Sequence, residues 1–311
     1  IHKNIHKYPI MIVKDEQIMK LLFLIFIFCG SAFGSTYRLN GSDMIGHNYS
    51  ITAVKGDTLS VIAYKHDVGI IELKRANPHI RRLKTGDVVV IPKQFILPPK
   101  KYRSGVVLNM AELRLYYFTK DKQYVFTYPV SMGRVGWRTP SATTKVIKMK
   151  EEPTWHVPPS IAEHHLERTG KALPKYILPG PDNPLGTRAM YLGLPKYLIH
   201  GTNKPSSIGQ YVSSGCIRMY NHDVEELFKF VSVGEKVTII NHKVKVGIKG
   251  NDLYLEAQPK VKTNKPTTPL NFVDLEEEIY QMGGGRYYRI NWDKVNKVIN
   301  QNTGIPEKVS Y

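Results

Sequence analysis

The chain has 311 residues, of which 42% are hydrophobic and 23% are charged, a composition typical of a globular protein with about two domains. A chain of this length buries a sizeable core without disulfide bonds, so a small disulfide-stapled scaffold is excluded. Lysine and arginine number 44 against 26 acidic residues. The net charge of +18 either serves solubility or indicates an acidic partner, and it does not choose between nucleic acid, anionic lipid and an acidic polymer.

An apolar run near the N-terminus indicates export. Residues 21–30, LLFLIFIFCG, follow a lysine and are too few to cross a bilayer, which takes about 20 apolar residues. The run fits a signal-peptide core better than a buried helix, because it has no amphipathic period. Ala32 and Gly34 supply the small residues of a cleavage site. We therefore expect residues 1–34 to be an upstream segment and signal peptide, and the mature protein to begin near Ser35 without a stable membrane span.

Export changes what the cysteines can do. Cys29 lies inside the proposed signal, so the mature chain keeps Cys216 alone and has no partner for an internal disulfide. A single thiol in an oxidising compartment is either a small buried hydrophobe or a reactive group. The residues around Cys216 have to decide between the two.

The first folded unit is predicted at residues 49–93, in the order strand, helix, helix, strand. Asp57 is positioned to cap the first helix, the second ends before Pro78, and the strand VVVI stops at Pro92. The motifs GDTL, ANP and GDVVVIP resemble those of the LysM family. The resemblance implies a domain that binds glycan containing N-acetylglucosamine. The alternative is an unrelated small α+β module.

The remaining chain is predicted to be mainly β. Residues 94–103 contain Pro-Pro and lysines, which predicts a stiff, solvated linker. Beyond them, β-branched and aromatic runs separated by polar turns predict strands at VVLN, LRLYYFT, YVFTYPV, TTKVIKM, AMYLGL, YLIH and VTII. Residues 150–190 are rich in Pro and His, which predicts a long ordered loop or lid. One helix is predicted by the apolar stripe of Val224, Leu227, Phe228 and Val231.

The C-terminal part, residues 242–311, is predicted to be an appendage without chemistry of its own. It contains a hairpin pattern with a turn at Gly250-Asn251-Asp252 and amphipathic helical character around WDKVNKVI.

His200 and Cys216 form the pattern that carries chemistry. The thiolate is the reactive form of cysteine, and a free thiol has a pKa of about 8.5, so a thiol nucleophile needs an imidazole nearby. His200 ends a predicted apolar strand, and the carbonyl of Gly201 is available to accept the ring N–H and fix the tautomer. Gly215 permits a tight turn that can aim the backbone N–H groups of Gly215 and Cys216 at a developing oxyanion.

The segment from LIHGTN to GCIRM resembles the L,D-transpeptidase catalytic domain, whose pattern is His-Gly, a spacer of this length, and Ser-His-Gly-Cys. The motifs VVLNMAELRLYYF, YPVSMGRVGWRTPSATT, PTWHVPPSI and PGPDNPLG extend the resemblance over residues 104–241. It implies that Cys216 is the nucleophile, His200 the general base and Gly201 the orienting backbone group. The candidates for the substrate pocket are Ser214, Arg218, Asn203 and Tyr197.

Together the two resemblances imply the fold class. We expect a mainly β protein with an L,D-transpeptidase-like β-sandwich catalytic domain that has one or two helices. A small βααβ LysM domain precedes it.

Ser214 departs from the family pattern, which has His at that place. The departure puts in doubt a positioning role for this side chain, but it leaves the nucleophile and the base intact. A zinc site formed by His200, Cys216 and His222 lacks a fourth ligand at a recognisable spacing, so we expect no metal.

Other residues near the motif have ordinary alternatives. Trp137 and Trp155 line a pocket or merely pack, and packing is the usual role. His164–His165 are expected in a loop near the cleft. Arg218 has the alternative of an ion pair with an acidic helix residue such as Glu225.

The resemblance implies an acyl transfer that needs no cofactor. The thiolate attacks the L-centre carbonyl of diaminopimelate in a tetrapeptide stem of peptidoglycan, D-alanine leaves, and an amine of another stem or of a wall lipoprotein resolves the thioester. Carbapenems acylate the same thiol in the resembled family. We therefore expect a periplasmic enzyme with peptidoglycan as its partner and no nucleic-acid partner.

Three alternatives stay open within the same setting. Water as the acceptor would make the protein an L,D-carboxypeptidase. A cysteine endopeptidase of peptidoglycan is disfavoured, because in those enzymes Cys precedes His. The third alternative is a peptidoglycan-binding protein with an inactive catalytic domain, against which the intact His200 and Cys216 argue.

Overall fold

The computed structural model describes residues 35–259, 275–277, 279–280 and 287–311. The proposed signal peptide lies outside these ranges. The fold is mainly β with few helices, as predicted. Within the described ranges, every helix is too short or too polar to cross a bilayer.

The helices are α1 (Leu59–Lys65), α2 (Ile70–Ala76), α3 (Pro159–Thr169), α4 (Asn221–Phe230) and α5 (Trp292–Gln301), with 3-10 turns at Lys100–Tyr102 and Pro205–Ser207. The strands are β1 (Ser35–Arg38), β2 (Met44–Ile45), β3 (Tyr49–Thr52), β4 (Val88–Ile91), β5 (Phe95–Ile96), β6 (Gly105–Asn109), β7 (Arg114–Phe118), β8 (Tyr124–Pro129), β9 (Met132–Gly133), β10 (Ala142–Glu151), β11 (Trp155–His156), β12 (Tyr176–Ile177), β13 (Arg188–Leu192), β14 (Leu198–His200), β15 (Tyr211–Ser213), β16 (Ile217–Arg218), β17 (Lys236–Ile240), β18 (Val244–Lys249), β19 (Asp252–Ala257) and β20 (Glu307–Lys308).

The N-terminal βααβ unit has the predicted order of elements. β3 and β4 pair antiparallel, and α1 and α2 pack on them around a small apolar core. Asn77, from the ANP motif, binds the unit together, since its amide donates to Leu73 O and Val90 O and accepts from Val90 N–H. The predicted cap was wrong by one residue. Thr58 caps α1 by accepting from Val61 N–H, whereas Asp57 accepts from a loop amide before the helix.

A nine-stranded sheet forms the body of the protein, in the order β1-β8-β7-β6-β17-β10-β13-β14-β16. Most neighbours are antiparallel, but β6 pairs parallel with β17 and β14 pairs parallel with β16. The long strand β10 joins the two halves of the sheet. Its first residues pair with β17 and its later ones with β13, with a register shift between Val146 and Lys148. Such an irregularity bends a strand, so β10 carries the chain from one half to the other.

Both faces of the central strands are buried. Val106 and Leu108 contribute to the main core, which also contains the apolar side of α4, while Val107 contributes to a second core on the opposite face. Phe95 and Leu97 belong to that second core. The expected solvated linker is therefore wrong, because its apolar residues cover a sheet face and only its lysines reach solvent.

The segment 150–190 is more regular than the sequence indicated. It contains the antiparallel pair β11–β12 and, between these strands, the helix α3, which is capped at its C-terminus by Gly170 with a φ of 68°. None of the residues of α3 is buried, so the sequence has no apolar stripe from which to predict it.

The C-terminal part has its own small core. β18, β19 and β20 form an antiparallel sheet on which α5 packs, and the predicted hairpin and helix are both present. This part is attached to the main body by the buried ammonium of Lys245. Its Nζ lies 2.6 Å from Glu112 Oε2 and 3.0 Å from Glu256 Oε1, with all three side chains at most 3% exposed.

The βααβ unit is in close contact with the body of the protein. The carboxylate of Glu72 on α2 forms an ion pair of 2.6 Å with the guanidinium of Arg114, which is 1% exposed on β7. Ile70 N–H donates to Ile208 O. Gly69 and Gly209 pass each other so closely that a Cβ on Gly209 would lie 2.5 Å from the Cα of Gly69. The unit is therefore packed against the body rather than tethered to it.

Candidate active site

The two predicted catalytic side chains lie on the same face of neighbouring strands. In the parallel pair β14–β16, Ile199 is opposite Ile217 and His200 is opposite Arg218. Both isoleucines are fully buried in the main core. Because successive side chains of a strand point to opposite faces, His200, Arg218 and, one residue before β16, Cys216 are on the other face.

Cys216 is half-buried. One polar group beside it interacts with the thiol, and others stabilise the thiolate. The Sγ–H group donates to Lys196 O at 3.4 Å. Lys196 has a φ of 74°, a left-handed conformation that is uncommon for a residue with a side chain. Burial raises the pKa of the thiol, and the backbone N–H of Leu198 and the charge of Arg218 oppose that shift by stabilising the thiolate. The resting group is therefore a thiol with thiolate-stabilising groups beside it.

His200 is 4% exposed and held in one tautomer. Its Nδ1–H donates to Gly201 O at 2.7 Å, which leaves Nε2 with the lone pair. Burial, together with the nearby charge of Arg218, lowers the pKa of His200 to about 3. The imidazole is therefore neutral at pH 7 and able to accept a proton.

Gly201 is held by a close contact with α4. A Cβ on Gly201 would lie 2.2 Å from Asn221 Oδ1, the atom that accepts the N–H of Thr202. A side chain at position 201 would displace Asn221 Oδ1 from its hydrogen bond with Thr202. Asn221 and Thr202 were missed by the sequence analysis, since neither residue belongs to a recognisable spacing.

The turn before Cys216 differs from the expectation in one respect. Gly215 has a φ of 111°, the conformation anticipated from its glycine, but its N–H donates to Ser213 Oγ at 3.1 Å. Ser213 Oγ in turn donates to Cys216 O, and Thr139 Oγ1 donates to Gly215 O. The Gly215 N–H is thus occupied within the turn. The oxyanion role of the Gly215 and Cys216 N–H groups stays a prediction.

A cavity of about 620 Å³ opens beside this turn. Three of the four predicted pocket residues line it, namely Ser214, Arg218 and Asn203. Tyr197 does not line it. Its ring lies 3.0 Å from where a Cβ of Gly215 would be, and its hydroxyl donates to Arg138 O, so it supports the turn instead.

The charged residues in the wall of the cavity are mostly basic. Arg134, Arg168 and Lys204 line it together with Arg218, against a single carboxylate at Asp182. Arg134 also lies 5.2 Å over the ring of Trp137 and donates to the hydroxyl of Ser214. Most of these residues come from loops or from α3 and are far apart in the sequence, so no local sequence pattern predicts that they share a cavity.

Some of the residues for which a purely structural role was considered also line this cavity. Trp137 and Trp155 line the cavity, although packing was the favoured role for them. His164–His165 line it as well, and they lie on α3 and not in a loop. The carboxylate of Glu225 accepts from Thr187, and the described residues contain no ion pair between it and Arg218.

The zinc site considered for His200, Cys216 and His222 is not formed. Among the described residues, the one group of three or more convergent potential ligands is Asp67, His222 and Asp223, at the contact between the βααβ unit and α4.

Family models match both the main β region and the N-terminal βααβ unit. Residues 103–239 match the model of the YkuD family, described as the L,D-transpeptidase catalytic domain. Residues 51–92 match the model of the LysM domain.

Curated relatives extend over most of the chain. The Escherichia coli K12 protein named "Probable L,D-transpeptidase YbiS" is 38% identical over 242 residues, which cover 76% of this chain and 78% of that protein. The E. coli protein "Probable L,D-transpeptidase ErfK/SrfK" is 39% identical over 68% of this chain and 69% of its own length. Its Salmonella typhimurium namesake is 32% identical over 87% of this chain and 89% of its own length. The chain therefore belongs to the L,D-transpeptidase family and carries an N-terminal LysM domain.

Proposed function

We propose that the protein is a periplasmic L,D-transpeptidase of peptidoglycan in which Cys216 is the nucleophile and His200 the general base. The observation that carries the proposal is the arrangement of these two side chains on one face of β14–β16. It is supported by the bond from His200 Nδ1–H to Gly201 O, which fixes the tautomer of the ring and leaves the lone pair on Nε2.

The reaction begins from a neutral pair. His200 Nε2 takes the proton of the Cys216 thiol as the sulfur attacks the L-centre carbonyl of diaminopimelate in a tetrapeptide stem. The tetrahedral intermediate collapses to a thioester, and the imidazolium gives its proton to the leaving amine of D-alanine. An amine of a second stem, or of a wall lipoprotein, then attacks the thioester and loses its proton to the imidazole. The C–S bond breaks, and the imidazolium returns the proton to the sulfur of Cys216, which restores the neutral pair.

The oxyanion of each tetrahedral intermediate needs a donor and a nearby positive charge. The backbone N–H of Cys216 supplies the donor in this proposal, and the guanidinium of Arg218, on the same strand face, contributes the charge. The orienting role of Gly201 depends on its contact with Asn221, which fixes the position of the carbonyl that holds the imidazole.

The basic wall of the cavity fits the chemistry of a stem peptide, which carries several carboxylates. Arg134, Arg168 and Arg218 are available to bind them, and guanidinium groups bind carboxylates in a bidentate manner. Ser214 and Asn203 add neutral hydrogen-bonding groups to the same cavity.

The domain organisation gives the enzyme its location on the wall. We assign residues 49–93 to a LysM domain that binds the glycan strand, residues 104–241 to the catalytic domain, and residues 242–311 to a C-terminal addition. Binding of the glycan raises the effective concentration of stems at the catalytic site. Export through the signal peptide predicted in residues 1–34 would bring the enzyme to this substrate.

Mass analysis of muropeptides tests the proposal. Purified disaccharide tetrapeptide, incubated with the protein, should lose D-alanine and yield new cross-linked dimers. Cys216→Ala should yield neither product, whereas Cys216→Ala and the parent protein should bind insoluble sacculi equally.

Each rival has its own outcome in the same assay. D-alanine loss without dimers would identify a carboxypeptidase, and cleavage within the stem would identify an endopeptidase. Sacculus binding without any product from the parent protein would leave a binding protein with an inactive catalytic domain. Any of these three results contradicts the proposed transpeptidase.

A further inference from the structure

Asp67, His222 and Asp223 converge where the LysM domain contacts α4. One potential ligand atom from each residue lies within 4.8 Å of the other two. Asp67 is in the turn between α1 and α2, while His222 and Asp223 belong to the first turn of α4. Asp223 is fully buried and Asp67 is 5% exposed.

The charges of this cluster are poorly compensated by the chain. Both oxygens of Asp223 and the Oδ1 of Asp67 are buried and accept no hydrogen bond within the described ranges. Lys93 Nζ lies 3.3 Å from the other oxygen of Asp67, and His222 Nε2 lies 3.3 Å from Asp223 Oδ1. One ammonium cannot neutralise two carboxylates, and an uncompensated buried carboxylate is strongly unfavourable. The cluster must therefore take up either a proton or a cation.

We propose that Asp67, His222 and Asp223 bind one divalent transition-metal ion, for which zinc is the fitting member, and that this ion fastens the LysM domain to α4. Zinc accepts imidazole nitrogen and carboxylate oxygen as ligands, and a site with three protein ligands leaves the fourth position to water. Calcium fits less well, because it takes six to eight oxygen ligands and no imidazole.

The surroundings of His222 agree with a role as ligand. Its side chain is 16% exposed, which leaves a path from solvent to an otherwise buried site. The ring is stacked on Tyr220 and meets the edge of Tyr64, so its orientation is fixed from both sides of the contact.

The position of the cluster gives the ion a connection to the catalytic residues. Asn221 precedes His222 in the chain, and its side chain accepts the N–H of Thr202 directly after Gly201. A metal ion that holds the first turn of α4 against Asp67 therefore also fixes Asn221, whose side chain holds the backbone at Thr202. The inferred metal site stands independently of the proposed transpeptidase reaction.

Zinc binding is measured on the full-length protein in the Cys216→Ala background, so that the thiol cannot bind the metal. After equilibrium dialysis against a buffered zinc solution, elemental analysis should find one zinc per chain. Asp223→Asn and Asp67→Asn in this background should each bind zinc at least about 100-fold more weakly, since even groups around a ligand contribute 10- to 100-fold. Asp121→Asn, at an exposed hairpin turn, is the matched control and should keep the zinc.

Thermal unfolding keeps the test decisive if one variant folds poorly. Zinc should raise the Tm of Cys216→Ala and leave that of its Asp67→Asn derivative unchanged. The proposal is overturned if Cys216→Ala binds no zinc, or if both Asp→Asn derivatives keep it. Infrared spectra supply a further test. The proposal is overturned if the band of a protonated carboxyl disappears in Asp223→Asn but persists when zinc is added, because Asp67 and Asp223 would then share a proton.

Discussion

Replacing Glu72 by Gln should loosen the contact between the LysM domain and the catalytic sheet. The guanidinium of Arg114 is 1% exposed, and Glu72 is its carboxylate partner, at 2.6 Å. Arg114 also donates to Thr127 and lies 4.0 Å over the ring of Phe95, but neither group carries a compensating charge. The substitution keeps an oxygen acceptor for Arg114 and removes the negative charge.

The size of the effect follows from the burial of the pair. Removing one partner of a fully buried ion pair costs about 3–5 kcal/mol, because the other charge stays buried without compensation. Glu72 is 21% exposed and the amide oxygen still accepts, so we expect about 2–3 kcal/mol here. For a chain of this size each kcal/mol lowers the Tm by about 2–4 °C, which gives a decrease of about 4–12 °C.

The assay is thermal unfolding followed by circular dichroism. Glu163→Gln, at an exposed position of α3, is the matched control and should leave the Tm unchanged. Adding Arg114→Met to Glu72→Gln should recover most of the loss, since an apolar side chain of similar volume removes the unpaired charge. A decrease of less than about 1 °C for Glu72→Gln, or no recovery in the double variant, would refute the reasoning.

Three further predictions concern the catalytic residues. A carbapenem should add one mass to the protein, on the peptide holding Cys216. Cys216→Ala should show no adduct, and His200→Ala should form the adduct about 10²–10⁴-fold more slowly. Equal rates of adduct formation for His200→Ala and the parent would contradict the assignment of His200 as the base. Because the pKa of His200 is lowered to about 3, the imidazole loses its function as a base only when it is protonated below that range. We therefore expect kcat/KM to stay level on acidification through pH 6, and an acid limb near the free-histidine value of about 6.5 would contradict the burial argument. Gly201→Ala should lower kcat by about 10²-fold with little change in thiol alkylation, because its Cβ would displace the carbonyl that orients His200, and unaltered kcat would show that this contact is dispensable.

The sequence predicts best what is encoded by short motifs and by periodicity. The LysM elements follow from helical and strand patterns bounded by Gly and Pro, and the amide of Asn77 in the ANP motif makes three hydrogen bonds within that unit. His200 and Cys216 could be picked out because their glycine neighbours and spacing are local features. The pairing of His200 with Arg218, two residues after Cys216, needs only the parallel alignment of two short strands.

What the sequence could not predict depends on distant parts of the chain. Phe95 and Leu97 have the composition of a linker, and their burial requires the sheet face formed by strands that come later. α3 has no buried residue and therefore no periodic signal. The N–H of Gly215 is occupied by Ser213, a contact that depends on a side-chain rotamer. The ion pair of Glu72 with Arg114 joins residues 42 positions apart.

The buried ammonium of Lys245 restricts how this protein can change by mutation. Glu112 and Glu256 come from the catalytic sheet and the C-terminal sheet, and both depend on the same positive charge. The environment already raises the pKa of Glu256 to about 7, chiefly by burial, so the carboxylate has little further tolerance for losing its partner. Loss of Lys245 alone leaves two buried carboxylates without a cation, whereas loss of one carboxylate leaves a balanced pair. Replacement of Lys245 should therefore be acceptable only together with changes at Glu112 and Glu256, which ties the evolution of the C-terminal residues to that of the catalytic domain.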